Sequence, residues 1–138
     1  MNNEKLSENF SLEEFTTSEK ATDLGITNEP GERELAALRV LVSRTLQPLR
    51  DKLGVPVHIN SGYRCPELNK AVGGVPTSQH QKGEAADLSI DGKASNILDA
   101  LENSDIPFDQ AILYRKLNFL HVSLKLDGVQ RSNVIIKM

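Results

Sequence analysis

The stretch T-S-Q-H-Q-K-G-E-A-A-D-L-S-I, residues 77–90, decides how this chain is read. It puts an imidazole at His80 and a carboxylate at Asp87, separates them by a glycine at Gly83, and then runs into apolar residues. Two explanations fit: a polar loop entering a strand, or half of a metal site. Read with the period-two alternation of a strand, Ala86, Leu88 and Ile90 fall on one face, and Ala85, Asp87 and Ser89 on the other. A second segment, F-L-H-V-S-L at 119–124, repeats the pattern. Leu120, Val122 and Leu124 share its apolar face, and Phe119, His121 and Ser123 the opposite one. Each strand thus offers one face to a core and a second face centred on one ligand-type residue. If the two strands are neighbours, Asp87 and His121 converge, and Gly83 lets the chain turn His80 back toward them.

His80, Asp87 and His121 would then be a two-histidine, one-carboxylate set. Such a set suits zinc in an open site, with three protein ligands and a fourth position for water. The metal lowers the pKa of that water to about 7 and makes a nucleophile near neutral pH. The spacing differs from the His-x-Asp…His pattern of non-haem iron oxygenases. Spacing alone leaves the structural reading open, because a histidine on a half-exposed strand also serves packing and Asp87 also serves to solvate a loop end.

Outward from these segments, the chain reads as one domain over residues 1–138. Ser11 and Glu14 of F-S-L-E-E-F (10–15) form a capping box, with Phe10 and Phe15 at the staple positions, so a short helix is expected before Gly25. Leu35, Leu38, Val42, Leu46, Leu49 and Leu53 recur at threes and fours and predict a long amphipathic helix from Glu32 to Leu53, kinked or split by Pro48. V-P-V-H-I-N (55–60) reads as a strand with Val55, Val57 and Ile59 on one face. S-G-Y-R-C-P-E-L-N-K-A-V-G-G (61–74) reads as a turn and then a short helix begun by Pro66 and stopped by Gly73–Gly74. A-S-N-I-L-D-A-L-E-N-S (94–104) is a helix, and F-D-Q-A-I-L-Y (108–114) and N-V-I-I-K-M (133–138) are strands. Helices first and strands later predict an α+β fold, with a small, mostly antiparallel sheet packed against helices.

Composition narrows the function. Aromatic residues make up 4% of the chain, there is no tryptophan, the net charge is −3 and no basic run occurs. That argues against nucleic acid as partner. No apolar run reaches membrane-span length, so no membrane insertion is expected. Cys65 is the single cysteine, reads as a small packed residue and makes no internal disulfide. The opening residues M-N-N-E-K-L-S-E-N-F lack an apolar core of the secretory type.

The motifs in order, S-G-Y-R-C-P-E-L-N-K-A-V-G-G, S-Q-H-Q-K-G-E-A-A-D-L-S-I, F-D-Q-A-I-L-Y and F-L-H-V-S-L, resemble the zinc D-Ala-D-Ala carboxypeptidase and L-Ala-D-Glu endopeptidase family, in its carboxypeptidase-like branch. These are metallopeptidases of bacterial cell walls and phage lysins that share a fold with the Hedgehog signalling domain. The family pattern Ser-x-His-x-x-Gly-x-Ala-x-Asp is met by Ser78, His80, Gly83, Ala85 and Asp87, and its later His-Val-Ser by His121, Val122 and Ser123. The resemblance implies a Zn2+ held by His80, Asp87 and His121. It implies that Arg64 is the substrate arginine, whose rigid, always-charged fork suits a carboxylate or polarised carbonyl. Ser78 would bind substrate beside the metal. The implied partner is a peptidoglycan stem peptide, and the expected protein is a monomer, made in the cytoplasm and reaching the wall after lysis or by export through another route.

One position departs from the family. Many members carry an acidic general base three residues before the last histidine, where this chain has Asn118, which cannot take a proton. Asn118 either takes a catalytic place, orienting water or holding an oxyanion, or is a polar turn residue before the strand. Glu84 is expected to point away from Asp87, Asp109 to lie at the wrong end of its strand, and His58 to be partly exposed. Three functions stay open on these grounds: a peptidase, a zinc-containing module that binds peptidoglycan or a protein partner, and a metal-free structural protein.

Overall fold

The structure is a computed structural model, and it describes residues 3–138. A five-stranded sheet runs in the order β3(His58–Ser61), β4(Ala85–Ser89), β6(Phe119–Ser123), β5(Gln110–Tyr114), β7(Asn133–Lys137). Three of its pairings are antiparallel, and β7 joins β5 in parallel. The expected α+β architecture with a mostly antiparallel sheet is the observed one. A small two-stranded sheet, β1(Lys5–Ser7) with β2(Phe10–Ser11), was not foreseen.

The apolar face of the sheet packs on the helices. Leu88 and Leu120 are fully buried and paired across β4 and β6, as are Ala86 and Val122. They meet Leu38, Leu41, Val42, Leu46 and Leu49 from the long helical segment and Ile97, Leu98 and Leu101 from α6(Ser95–Glu102). Burying one such side chain is worth about 1.5–3 kcal/mol, so the alternation along β4 and β6 holds their register firmly.

The long helix does not split at Pro48. It runs as α3(Glu32–Leu41), a π-helical stretch at Val42–Leu46, and α4(Gln47–Leu53). The Gln47 N–H reaches back five residues to the Val42 carbonyl. That wider turn directly precedes Pro48, which has no N–H to donate and whose ring would crowd an ordinary α-helical carbonyl. Gly54 ends α4 in the left-handed conformation at φ 69°. The following strand begins later than expected: it starts at His58, and Val55 is exposed.

At the other end of the chain, α1(Leu12–Thr16) opens with Glu14 Oε2 accepting the Ser11 N–H at 2.7 Å. Phe10 and Phe15 pack with ring centroids 6.0 Å apart. α2(Glu19–Leu24) follows and stops at Gly25. The Phe15 carbonyl accepts the Tyr63 N–H at 2.7 Å, and a Cβ on Gly62 would lie 2.6 Å from the Phe15 backbone. Only a glycine lets the loop before α5(Pro66–Ala71) approach α1 this closely.

Gly83 meets two demands at once. Its φ is 71°, and a Cβ there would lie 2.3 Å from the Glu34 carbonyl oxygen of α3. Gly25 has a similar φ of 68° with open space around it. Gly83→Ala should therefore cost roughly 2–5 kcal/mol, the sum of left-handed strain and overpacking, whereas Gly25→Ala should cost only the strain, about 1–2 kcal/mol. Urea unfolding of the two variants measures the difference; equal losses would refute the close approach to α3.

Candidate metal centre

β4 and β6 pair so that Asp87 stands directly opposite His121. Their side chains leave the sheet on the face away from the core. His121 Nδ1 lies 3.0 Å from Asp87 Oδ1. His80 enters from a 3₁₀ turn, Gln79–Lys82, and its Nε2 lies 3.3 Å from the same oxygen. The two imidazole rings meet edge to face at 5.2 Å. One ligand atom from each of His80, Asp87 and His121 lies within 4.8 Å of the others. Two zinc bonds of about 2.0 Å at a tetrahedral angle set their ligand atoms about 3.3 Å apart. The two separations from Asp87 lie near that edge, so the donor set suits zinc in kind and these two contacts suit it in spacing.

The turn that carries His80 is built by its neighbours. Ser78 Oγ accepts the His80 N–H at 3.2 Å, and Gly83 closes the turn by sending its N–H to the His80 carbonyl at 3.3 Å. The His80 side chain is buried, and its Nδ1 lies 2.7 Å from the Gly62 carbonyl. A carbonyl only accepts, so Nδ1 carries the proton and Nε2 keeps the lone pair turned toward Asp87. The close contact of Gly62 with α1 thereby fixes the orientation of a candidate ligand.

Burial alone would raise the Asp87 carboxyl pKa. Protons on the His121 and His80 nitrogens that face it, present when those rings are charged, outweigh it and hold the group far below the usual carboxylate range; in the neutral rings the same nitrogens are free to offer lone pairs to a cation. Asp87 is thus an ionised oxygen donor, the form a cation requires.

Arg64, Ser78, His80, Asp87 and His121 all line one cleft of about 960 Å³. Arg64 is half-buried there, and its Nε is fully buried with no hydrogen-bond partner among the described residues. Burial holds its pKa below the ordinary value, and the negative charge of Asp87 offsets part of that shift. The backbone around it is clamped: the Arg64 N–H donates to the His80 carbonyl at 3.1 Å. Asn28 spans the flanking residues, with Nδ2 donating to the Thr16 and Tyr63 carbonyls at 3.0 and 2.9 Å and Oδ1 accepting the Cys65 N–H at 2.8 Å. Sequence reasoning missed Asn28, since nothing local marks an asparagine that binds residues 12, 35 and 37 positions away. Cys65 itself is a partly buried residue against the core.

Asn118 is not brought to this site. Its Oδ1 accepts the Ala94 N–H at 2.8 Å, and its Nδ2 donates to the Gly92 carbonyl at 3.0 Å. It lies three residues from His121, which reverses its face, and it adopts φ 57° in the turn between β5 and β6. A catalytic place for Asn118 has no geometric support; the turn-residue alternative describes it. Glu84 does not point away but lines the cleft, its carboxylate taken by the Leu126 N–H at 3.1 Å and by Arg33 at 3.7 Å. Asp109 lies just before β5 and is linked to the site only through Gln79: its carboxylate accepts from Gln79 Nε2 at 3.2 Å, and Gln79 Oε1 lies 3.1 Å from His121 Nε2. His58 is exposed on β3 and takes no part. Among the described residues, no helix is long and apolar enough to cross a membrane.

A family model described as Peptidase M15 matches residues 8–123, more than four fifths of the chain. No curated protein matches it.

Purified protein dialysed against dilute zinc should retain about one equivalent by elemental analysis, and His80→Ala or His121→Ala should retain far less. Chelation should lower the native melting temperature and leave those variants unmoved. Asn118→Asp should keep the native zinc content while losing about 1 kcal/mol of stability with the Gly92 hydrogen bond, measured by urea unfolding; a fall in zinc content would place Asn118 at the metal after all.

Proposed function

The chain belongs to the peptidase M15 family, and from that premise we propose that it is a zinc-dependent peptidase that hydrolyses a peptide bond in peptidoglycan stem peptides, as a carboxypeptidase or an endolysin. The observation that carries the reading is the convergence of His80, Asp87 and His121 on the wall of a cleft that also holds an arginine nitrogen with no partner among the described residues. Zinc, when bound there, would supply Lewis acidity toward a carbonyl oxygen and make water nucleophilic near neutral pH.

The protein's own groups have separable tasks. Asp87 and His121 form a rigid pair because β4 and β6 are locked in register by the core behind them, and His80 joins them from a turn held by the Gly62 carbonyl. Arg64 presents a guanidinium to a substrate carboxylate or to the carbonyl under attack, and its partial burial strengthens that contact. Ser78 uses its oxygen to cap His80, which leaves its hydroxyl proton free to donate to a bound peptide. The cleft holds the peptide across the sheet face and limits water around the reacting bond. The site of action that goes with this chemistry is the bacterial cell wall, reached after lysis or by export.

A second reading has a specific observation behind it. Among the described residues the ligand cluster has three members and takes in no further carboxylate, and the Asn118 amide is committed to Ala94 and Gly92. A zinc-containing module that binds peptidoglycan or a protein partner without cleaving would look the same.

Incubation of the zinc-loaded protein with purified peptidoglycan, followed by mass analysis of the soluble fraction, separates the two. The peptidase reading expects zinc-dependent release of amino acids or peptides. Arg64→Lys should lower kcat/KM by about 10–100-fold, the worth of a charge-assisted hydrogen bond. Retention on peptidoglycan with no release at any zinc concentration would leave the binding module standing.

A further inference from the structure

His121 is held by a chain of polar contacts that leads away from the metal centre. Its far end is Asp109, whose side chain is completely buried. Arg131 grips that carboxylate with its backbone N–H at 2.9 Å and Nε at 3.1 Å on Oδ1, and with Nη2 at 2.7 Å on Oδ2. Lys125 Nζ adds positive charge 3.7 Å from Oδ1. Burial alone would raise the Asp109 pKa, but these cationic partners keep it lowered and the group ionised.

An ionised carboxylate only accepts hydrogen bonds. The Gln79 group that faces Asp109 Oδ2 at 3.2 Å must therefore be the amide NH2, which turns Gln79 Oε1 the other way. That oxygen lies 3.1 Å from His121 Nε2 and is itself an acceptor, so it requires a proton on Nε2. A neutral imidazole protonated on Nε2 has its lone pair on Nδ1, the atom that stands 3.0 Å from Asp87. Without Gln79, His121 is free to carry its proton on Nδ1 and give it to Asp87, which removes a donor from the metal set. His80 needs no such chain, because the backbone carbonyl of Gly62 fixes it directly.

We propose that Gln79 is a positioning residue for the metal centre: oriented by the Arg131–Asp109 pair, it selects the His121 tautomer that leaves Nδ1 open for zinc. The inference rests on the metal-centre reading above and concerns binding of the ion, not the identity of the substrate. Partners of a metal-bound histidine of this kind are typically worth about 10–100-fold in metal affinity.

The test is zinc affinity of the native protein and of Gln79→Met, by competition with a chromophoric chelator. It is paired with long-range proton–nitrogen NMR of the His121 ring in the zinc-loaded samples. Gln79→Met is close in size and leaves a half-exposed turn position without a donor or acceptor. It should bind zinc about 10–100-fold more weakly and lose the protected Nε2 proton, with little change in the melting temperature of the metal-free protein. Asp109→Asn should weaken binding too, because the new amide can turn Gln79 around. Adding Gln79→Glu to Asp109→Asn should restore most of the affinity, since the introduced carboxylate accepts from His121 while the introduced amide donates back to it. A purely structural role would not show that recovery. If Asp109→Asn does not fold, Gln79→Met alone decides. Affinity within twofold of native for Gln79→Met, with the Nε2 proton unchanged, overturns the proposal. Native protein that takes up no zinc at all overturns the metal-centre reading and this inference with it.

Discussion

The antiparallel register of β4 against β6 sets Asp87 across from His121, and the rest of the site depends on it. Strand side chains alternate, so a slip of one residue in either strand would turn its ligand into the core and push its leucine, Leu88 or Leu120, toward the cleft. The penalty for that slip is the loss of fully buried apolar contacts with α3, α4 and α6. Hydrophobic burial on one face of the sheet therefore holds a charged, polar cluster on the other. The placement of the ligand pair across the sheet thus shares the device that holds the fold.

Around this pair the structure adds two supports of different kinds. His80 is oriented by backbone: Gly62 offers its carbonyl because it can press against Phe15, and Gly83 turns the chain because it fits under Glu34. His121 is oriented by side chains, through Gln79, Asp109 and Arg131. The first kind tolerates little change in shape, and the second little change in charge. Arg64 completes the cleft from a loop that Asn28 and the His80 carbonyl hold on both sides, so the substrate-facing group and a ligand share one scaffold.

Much of this was legible beforehand. The alternation in E-A-A-D-L-S-I and F-L-H-V-S-L gave the faces of both strands, and the cap residues at Ser11, Gly25 and Gly54 marked helix boundaries where the structure has them. Of the two expectations for Pro48, a kink or a split, the split does not occur: the preceding turn widens to accommodate the ring. Glu84 and Asp109 were judged by parity and strand position, yet their side chains are placed by partners on other segments: Leu126 and Arg33 for one, Arg131 and Gln79 for the other. Asn118 was weighed at the reaction centre because of its distance in sequence from His121. Its odd offset along the strand and the backbone groups of Gly92 and Ala94 take it elsewhere.

The sequence by itself determined which strand residues face the core, which face the other side, and which three are candidate metal ligands, because periodicity and side-chain type are local properties. Only the tertiary structure decided which strands are neighbours, which nitrogen of each histidine is free, and which carboxylates are already spent. Those are questions of what lies across a hydrogen bond, and the partners stand 18 residues from His80 and 42 from His121. No local pattern encodes a contact at such separations; the packed core brings the partners together.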